Sequence, residues 1–496
     1  MTEALLPPRL HGMTARSSFP LVRAIECFDP LDLLPALARL RHPFLLHSSL
    51  NDDAGRWSFF GAEPFEFYSG AQYDTAIERW RELSGRMRAE GCDATAVPFT
   101  GGVVGSWSYD FGRRLERWPS LAADDLGLPD VALGLYDVVG AFDHRSRQAW
   151  LFSSGLPFEG AARAERAAQR LHEFETRLWE RPALEPLVLR PGAKAFASST
   201  FAREAYLDAV RCVQDHITRG DIYQANLSQR WTLPIGGRDG VLQPEPLGFA
   251  QLMNAAVGLH AALDERSPAP FAAFLGGDDH AIVSASPERF LELRAGRVET
   301  RPIKGTRPRG EDAAADARLR AELLASEKDR AENIMIVDVL RNDLGRVCET
   351  GSVKPLRLCE LEAFPQVFHL TSTIEGRLRR ELDAFDLLHA CFPGGSITGA
   401  PKLRAIEILE SIEPVRRHMY TGSIGYVDWR GDADWNIAIR TALVTPQAIH
   451  FSAGGGVTAD SDPAAEHEET LHKIAGMGAA LGRALGLGES LLRDAV

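Results

Sequence analysis

The stretch FAAFLGGDDHAIVSASPERFLEL, residues 271–293, contains three short apolar runs, 271–274, 281–284 and 290–293, separated by residues rich in turn formers. Apolar runs of about four residues bounded by glycine, aspartate, serine or proline read as strands. Three strands in succession with no helical pattern between them break the regular alternation that a doubly wound sheet requires. The class they support is α+β.

Working outward, a further strand-like run at 222–234 follows a helix in which Tyr206, Val210, Val213 and Ile217 recur at helical spacing, closed by Gly220. A long helical stretch over 313–344 comes next. A helix at 402–411, strands around 422–428, 437–444 and 448–452, and a final helix over 463–485 complete this half. The first half is also mixed, with helices at 75–90 and 159–181 and strands at 131–142 and 148–153. Between the halves, 182–200 (PALEPLVLRPGAKAFASST) is a proline-bearing segment of small residues without helical period, which divides the chain into 1–195 and 196–496.

The composition, 45% hydrophobic and 25% charged over 496 residues, is that of a soluble globular protein with ample core. Lys plus Arg total 55 against 68 Asp plus Glu, so the net charge of −13 repels polyanions and argues against a nucleic-acid partner. A local basic strip can still attract a small anion. The six cysteines contain no C-x-x-C pair, which argues against a zinc ribbon or disulfide framework and suits a reducing cytoplasm. The first twenty residues, broken by prolines and arginines, lack a signal-peptide core. No stretch is apolar for long enough to span a bilayer, so no membrane role is expected.

Chemistry concentrates in a few places. Lys304 lies in an arginine-rich turn, PIKGTRPRG at 302–310, with Arg301, Arg307 and Arg309 close in sequence. Neighbouring cations lower a lysine pKa and make the amine nucleophilic, so Lys304 is a candidate nucleophile with a depressed pKa. Taken alone, four basic residues in nine positions equally describe a solvated anion-binding strip. Asp329 and Glu332 stand three apart on a helical stretch, and Glu466 and Glu469 repeat the spacing after Asp462, an N-cap residue, and Pro463. Each pair alone is an ordinary solvated helix face. Together they form an oxygen-only set suited to Mg²⁺, with a substrate anion completing its shell.

Lys473, four residues beyond Glu469, either pairs with it or grips a carboxylate. Gly454, Gly455 and Gly456 form either a turn or a stretch of backbone N–H groups open to an anion. Glu288, at the end of a strand-like run, is a candidate general acid or a salt-bridge partner. His369 is a candidate base or a satisfied core histidine.

The motifs SPERF, ETRPIKGTRPRG, DRAENIMIVDVLRNDLGRV, FPGGSITGAPKLRAIEILE, TGSIGYVDW and SAGGGVTADSDPAAEHEETLHK together resemble the chorismate-utilising family, which includes anthranilate synthase component I, aminodeoxychorismate synthase component I and the isochorismate synthases. The resemblance is dense from about 200 to 480. It continues more weakly through FLLHSSLNDDAGRWSFFGAEP and PFTGGVVGSWSYDFGRRLE. It implies two packed antiparallel sheets surrounded by helices, with the first half contributing strands to the same sandwich.

The resemblance also implies an activity. Lysine in PIKGT marks the aminodeoxychorismate-forming members, whereas anthranilate synthases carry alanine there. Gln224 stands where isochorismate synthases have a lysine base. Lys304 would be the nucleophile, Glu288 the acid and His369 a residue lining the site. Glu332 and Glu469, supported by Asp329 and Glu466, would hold Mg²⁺. Thr306, Ser396, Tyr426, Arg440, Gly454, Gly455, Gly456 and Lys473 would bind chorismate. With no glutaminase signature in the sequence, ammonia would come from a separate glutamine amidotransferase subunit. Two rivals are anthranilate synthase component I and a non-catalytic amino-acid sensor, the latter disfavoured because LLHSS replaces the LLES of feedback-controlled members.

Overall fold

The computed structural model describes residues 19–50, 55–90, 96–180, 197–235, 246–364 and 367–486, which form two antiparallel sheets with helices packed outside them. The expected division near residue 195 lies outside the described residues. A twelve-stranded sheet begins with Leu21–Ile25, Gln148–Ser153, Val138–Asp143, Trp57–Gly61 and Phe44–His47. It continues with Phe271–Gly276, Ala281–Ser286, Thr441–Val444, Ala448–Val457, Gln224–Pro234 and Gly399–Ala400, with Ser198–Ser199 paired beside the last long strand. The two halves of the chain join where Ala272 faces His47 and Leu275 faces Phe44.

The second, ten-stranded sheet runs from Ile303–Pro308 through Val367–Arg377, Arg297–Thr300, Arg289–Arg294, Ala433–Asn436 and Ser423–Asp428 to Gly102–Trp107, Val131–Tyr136 and Glu66–Ser69. Lys354–Ala363 pairs on the far side of Val367–Arg377. Here the halves join between Ser423–Asp428 and Gly102–Trp107. Both sheets are thus built from both halves, and the α+β expectation with two packed antiparallel sheets holds.

The sheets meet face to face through side chains of both. Phe59, Trp150 and Phe152 of the first sheet pack with Val104, Tyr136 and Tyr426 of the second, and Ala273, Ile282 and Leu443 pack with Ile424. Burying each of the larger side chains contributes on the order of 2 kcal/mol. On the outer faces, the helix Phe249–Arg266 lies against the first sheet and Glu327–Gly345 against the second.

Four expectations need correction. PIKGT is not a turn: Ile303–Pro308 is a strand at the end of the second sheet, paired with Val367–Arg377. The strand placed at 131–142 is two, Val131–Tyr136 and Val138–Asp143, which lie in different sheets; buried Asp137 between them is gripped by Arg170 at 3.2 Å. The helix over 313–344 breaks at Ser326, whose extended backbone ends Ala313–Ala325 while its hydroxyl caps Glu327–Gly345 by accepting from the Asp329 N–H at 3.2 Å. Finally, only Thr441–Val444 of the run 437–444 is strand, because Arg440 adopts φ +49° and turns the chain before it.

The last helix starts as its sequence indicates. Asp462 accepts from the Ala465 N–H at 2.8 Å and Pro463 takes the first helical position. Both acidic pairs therefore lie in the first turns of capped helices, where helix position is best fixed.

Candidate active site

One cavity of about 920 Å³ opens between the two sheets and the helices Glu327–Gly345 and Pro463–Ala484. Lys304 and Thr306 reach it from one strand of the second sheet and His369 from the next. Lys304 and Thr306 stand on either side of Gly305, whose φ of +87° marks a register shift that interrupts regular strand alternation there. Asp329, Glu332, Glu466, Glu469 and Lys473 enter from the two helices. Glu288 and Arg440 come from connections between strands and Ser396 from the short 3₁₀ helix Gly395–Ile397. Every residue singled out for chemistry lines this cavity except Tyr426 and Gly455.

Lys304 Nζ lies 2.7 Å from Glu332 Oε1, and both side chains are mostly buried. Gln224 Nε2 donates to the same oxygen at 2.6 Å. Burial pushes the Glu332 carboxyl up, but the charge and hydrogen bond of Lys304 outweigh it and hold the pKa below the ordinary value. The flanking arginines do not play the part expected of them. Arg301 pairs with Glu362, Arg307 with Glu322 and Asp329, and Arg309 with Asp316, so their charges are locally neutralised.

Across from the lysine, Glu288 is buried and accepts a hydrogen bond from Ser396 Oγ at 2.6 Å. Burial raises its pKa from 4.5 to about 7, and the Ser396 bond and the Lys304 charge only partly oppose the rise. A carboxyl half-protonated near neutrality is a competent general acid. Ser396, proposed as a substrate contact, thus has its hydroxyl proton on Glu288.

His369 Nδ1 and Thr306 Oγ1 are 2.8 Å apart. Burial, with a smaller push from Arg440, lowers the histidine pKa to about 3. The ring is neutral at working pH, so it serves as a hydrogen-bonding wall and not as a proton carrier. Arg440 is partly buried; its only polar side-chain contact among the described residues is Ser267 Oγ at 3.5 Å, with no acidic partner. A partly buried guanidinium without a counter-charge suits an incoming carboxylate.

The glycine triplet has a steric reason. A Cβ on Gly456 would fall 2.2 Å from Gln224 Nε2 and 2.7 Å from Glu332 Oε1, and one on Gly455 would fall 2.7 Å from Glu466 Oε2. These glycines leave room for carboxylates from both helices. Gly455 faces the Glu466 side and not the cavity, and Lys473 Nζ bridges Glu469 at 2.6 Å and the Gly454 carbonyl at 2.9 Å. Glu466 accepts from Ser461 Oγ at 2.6 Å; its pKa is raised by burial and by Glu469. Carboxylates gathered on one cavity, one raised by its neighbour, are a donor set that a hard divalent cation satisfies. Among the described residues no three such groups are close enough to form a finished site.

Tyr426 is corrected outright. It packs in the inter-sheet layer against Phe59 and Phe99, and its hydroxyl accepts from Arg294 Nη2 at 2.6 Å. It is on the inter-sheet face, but its strand stands four strands from Val367–Arg377 in the sheet order, too far along to reach the cavity. The tyrosine that lines the cavity is Tyr420, with a pKa raised to about 12 by burial and its hydroxyl beside Asn226 and the Gly454 backbone. Sequence reasoning missed it because the motif TGSIGYVDW begins one residue later. His47, in the segment considered for amino-acid sensing, lies elsewhere, bound to Ser58 Oγ at 3.0 Å and 3.3 Å from Asp264.

A family model described as chorismate binding enzyme matches residues 42–478. The chain belongs to the chorismate binding enzyme family. It is 43% identical over 378 residues to aminodeoxychorismate synthase component 1 of Klebsiella aerogenes, covering 76% of each chain. It is 42% identical over 376 residues to anthranilate synthase component 1 of Thermus thermophilus, again over 76% of each. Among solved structures, anthranilate synthase component I from Streptococcus pneumoniae superposes with a TM-score of 0.68 at 29% identity, covering 86% of this chain and 93% of that one. Among the described residues no helix is long and apolar enough to cross a membrane.

Proposed function

We propose that this chain is the chorismate-converting component of an aminodeoxychorismate synthase, turning chorismate and ammonia into 4-amino-4-deoxychorismate for 4-aminobenzoate and folate formation. The observation that carries the reading is Lys304 in the cavity with the high-pKa Glu288 facing it. Aminodeoxychorismate synthase component 1 relatives at 42–44% identity support it.

In this mechanism the Lys304 amine attacks ring carbon 2, the ring double bonds shift, and the hydroxyl at carbon 4 leaves as water with a proton from Glu288. Ammonia then bonds to carbon 4, the double bonds shift back, and the bond between carbon 2 and Lys304 breaks. Covalent catalysis divides one difficult substitution into two allylic ones. The proton that ammonium nitrogen sheds restores Glu288. Arg440, Thr306 and the strand carrying Gly454 orient the carboxylates, while His369 stays neutral. Glu332 and Glu469 would hold Mg²⁺, with Asp329 and Glu466 in support; when bound, the ion neutralises the ring carboxylate. The name component 1 on these relatives implies a second component, and a glutamine amidotransferase that releases ammonia is the partner this chemistry needs. A cytoplasmic location fits such a pathway.

The test is incubation with chorismate, ammonium and Mg²⁺. The expected product gives 4-aminobenzoate only after an aminodeoxychorismate lyase is added. Anthranilate formed without lyase would establish the rival reading, which the Thermus thermophilus relative keeps in view.

A further inference from the structure

Asn226 lies on the strand Gln224–Pro234, two residues beyond Gln224, so the two side chains leave the same face. Gln224 has its amide on Glu332. Asn226 is 8% exposed and lines the cavity, yet its Nδ2 makes no well-aligned hydrogen bond among the described residues, the Tyr420 hydroxyl beside it being a poorly placed acceptor. Its main chain is held on both sides. The N–H donates to the Thr398 carbonyl at 2.9 Å, and the carbonyl accepts from Arg417 Nη2 at 2.5 Å.

The strand register places Asn226 opposite Gly456, so the backbone has no freedom to carry the amide toward another acceptor. A buried donor without a partner destabilises the protein that carries it. Natural cores hold few such groups, and those they hold concentrate where a ligand completes them. The neighbourhood indicates what kind of ligand. The Tyr420 hydroxyl lies beside both Asn226 and the Gly454 backbone, and Arg440, a cation without an acidic partner, lines the same cavity. All are suited to an anionic oxygen.

We infer that Asn226 binds substrate directly, its Nδ2 donating to a carboxylate oxygen of the dicarboxylic acid that occupies the cavity. This rests on the chorismate reading above. A neutral donor adds direction without adding charge, and a site built around such a donor discriminates against acids that lack an acceptor at that point.

Two substitutions test it, with chorismate, ammonium chloride and Mg²⁺ as the assay and thermal unfolding of the free protein alongside. Asn226→Leu keeps the branched outline of the side chain and removes the donor. It should leave the melting temperature unchanged or higher while raising KM for chorismate about ten- to a hundredfold, with kcat within a few-fold. Asn226→Asp turns the donor into an acceptor and should raise KM at least as much. A wild-type KM in Asn226→Leu, or a raised KM accompanied by a lowered melting temperature, overturns the inference, because either marks a purely structural residue. If wild-type protein converts no chorismate, the functional reading fails and the inference with it. If wild type converts it and Asn226→Leu does so with unchanged KM, only the inference fails.

Discussion

Lys304 and Glu332, 28 residues apart in sequence, form a 2.7 Å ion pair between the end strand of one sheet and the first turns of a helix. Glu332 is thereby shared between an amine meant for attack and the carboxylates meant for metal. To attack, the amine must be free of its carboxylate partner. Drawing Glu332 toward a cation would weaken that hold.

Lys304→Ala should abolish the covalent adduct that mass spectrometry detects on the peptide containing Lys304 after chorismate is added without a nitrogen source. Turnover should fall by at least about 10³-fold, as expected for a nucleophile that acts with its acid as a unit. An undiminished rate in this variant would remove the covalent scheme.

Glu288 gives a pH prediction with a definite sign. Its pKa is about 7 in the folded protein against 4.5 ordinarily, so the folded state keeps the proton longer. The associated stability is full below pH 4.5 and is lost as pH rises through 7, by as much as about 3 kcal/mol. Glu288→Gln, which cannot ionise, should melt higher than wild type at pH 8 and show little difference at pH 4.5. The same variant should lose about 10²- to 10⁴-fold in turnover, and wild-type turnover should decline above pH 7. A melting difference that does not depend on pH would contradict the assignment.

Mg²⁺ should stabilise the free protein, because Glu466 already has its pKa raised, by burial first and by the neighbouring Glu469, before any cation arrives. At about a hundred times its dissociation constant the gain is about 2.7 kcal/mol, visible as a higher melting temperature. Glu469→Gln should flatten the Mg²⁺ response. The same titration in Ca²⁺ would report how strictly the site selects the smaller ion.

Gly456→Ala separates stability from activity. The new Cβ meets the ends of two flexible side chains, Gln224 and Glu332, and no backbone, so folding should change little. The carboxamide at 2.2 Å must nevertheless move by more than about half an ångström and the carboxylate at 2.7 Å by a few tenths, and small displacements of reacting groups already cost rate. Activity should fall sharply with an almost unchanged melting temperature, and circular dichroism melts beside rate measurements would show the split.

Local patterns made much of this molecule legible. Asp462 and Pro463 marked the start of the last helix because an N-cap bond and a proline at the first position are local interactions. The spacing of Asp329 to Glu332 and of Glu466 to Glu469 fixed a shared helix face for the same reason. Ile303–Pro308 was misread as a turn because its glycine, prolines and charges suit an end strand as well as a loop, and its partner, Val367–Arg377, lies some sixty residues away. Tyr426 was assigned to the cavity because a motif names a residue without saying how far along the sheet its strand lies from the site.

The sequence by itself determined the α+β class, the capped acidic helices, the nucleophile candidate and the family, since each depends on residue type and short spacing. Tertiary structure decided which charges meet. It neutralised the arginines flanking Lys304, gave the lysine to Glu332, exchanged Tyr426 for Tyr420, and buried Glu288 until its pKa rose toward neutrality. Electrostatic character follows from burial and from partners distant along the chain, and both come into being only when the two sheets close on each other.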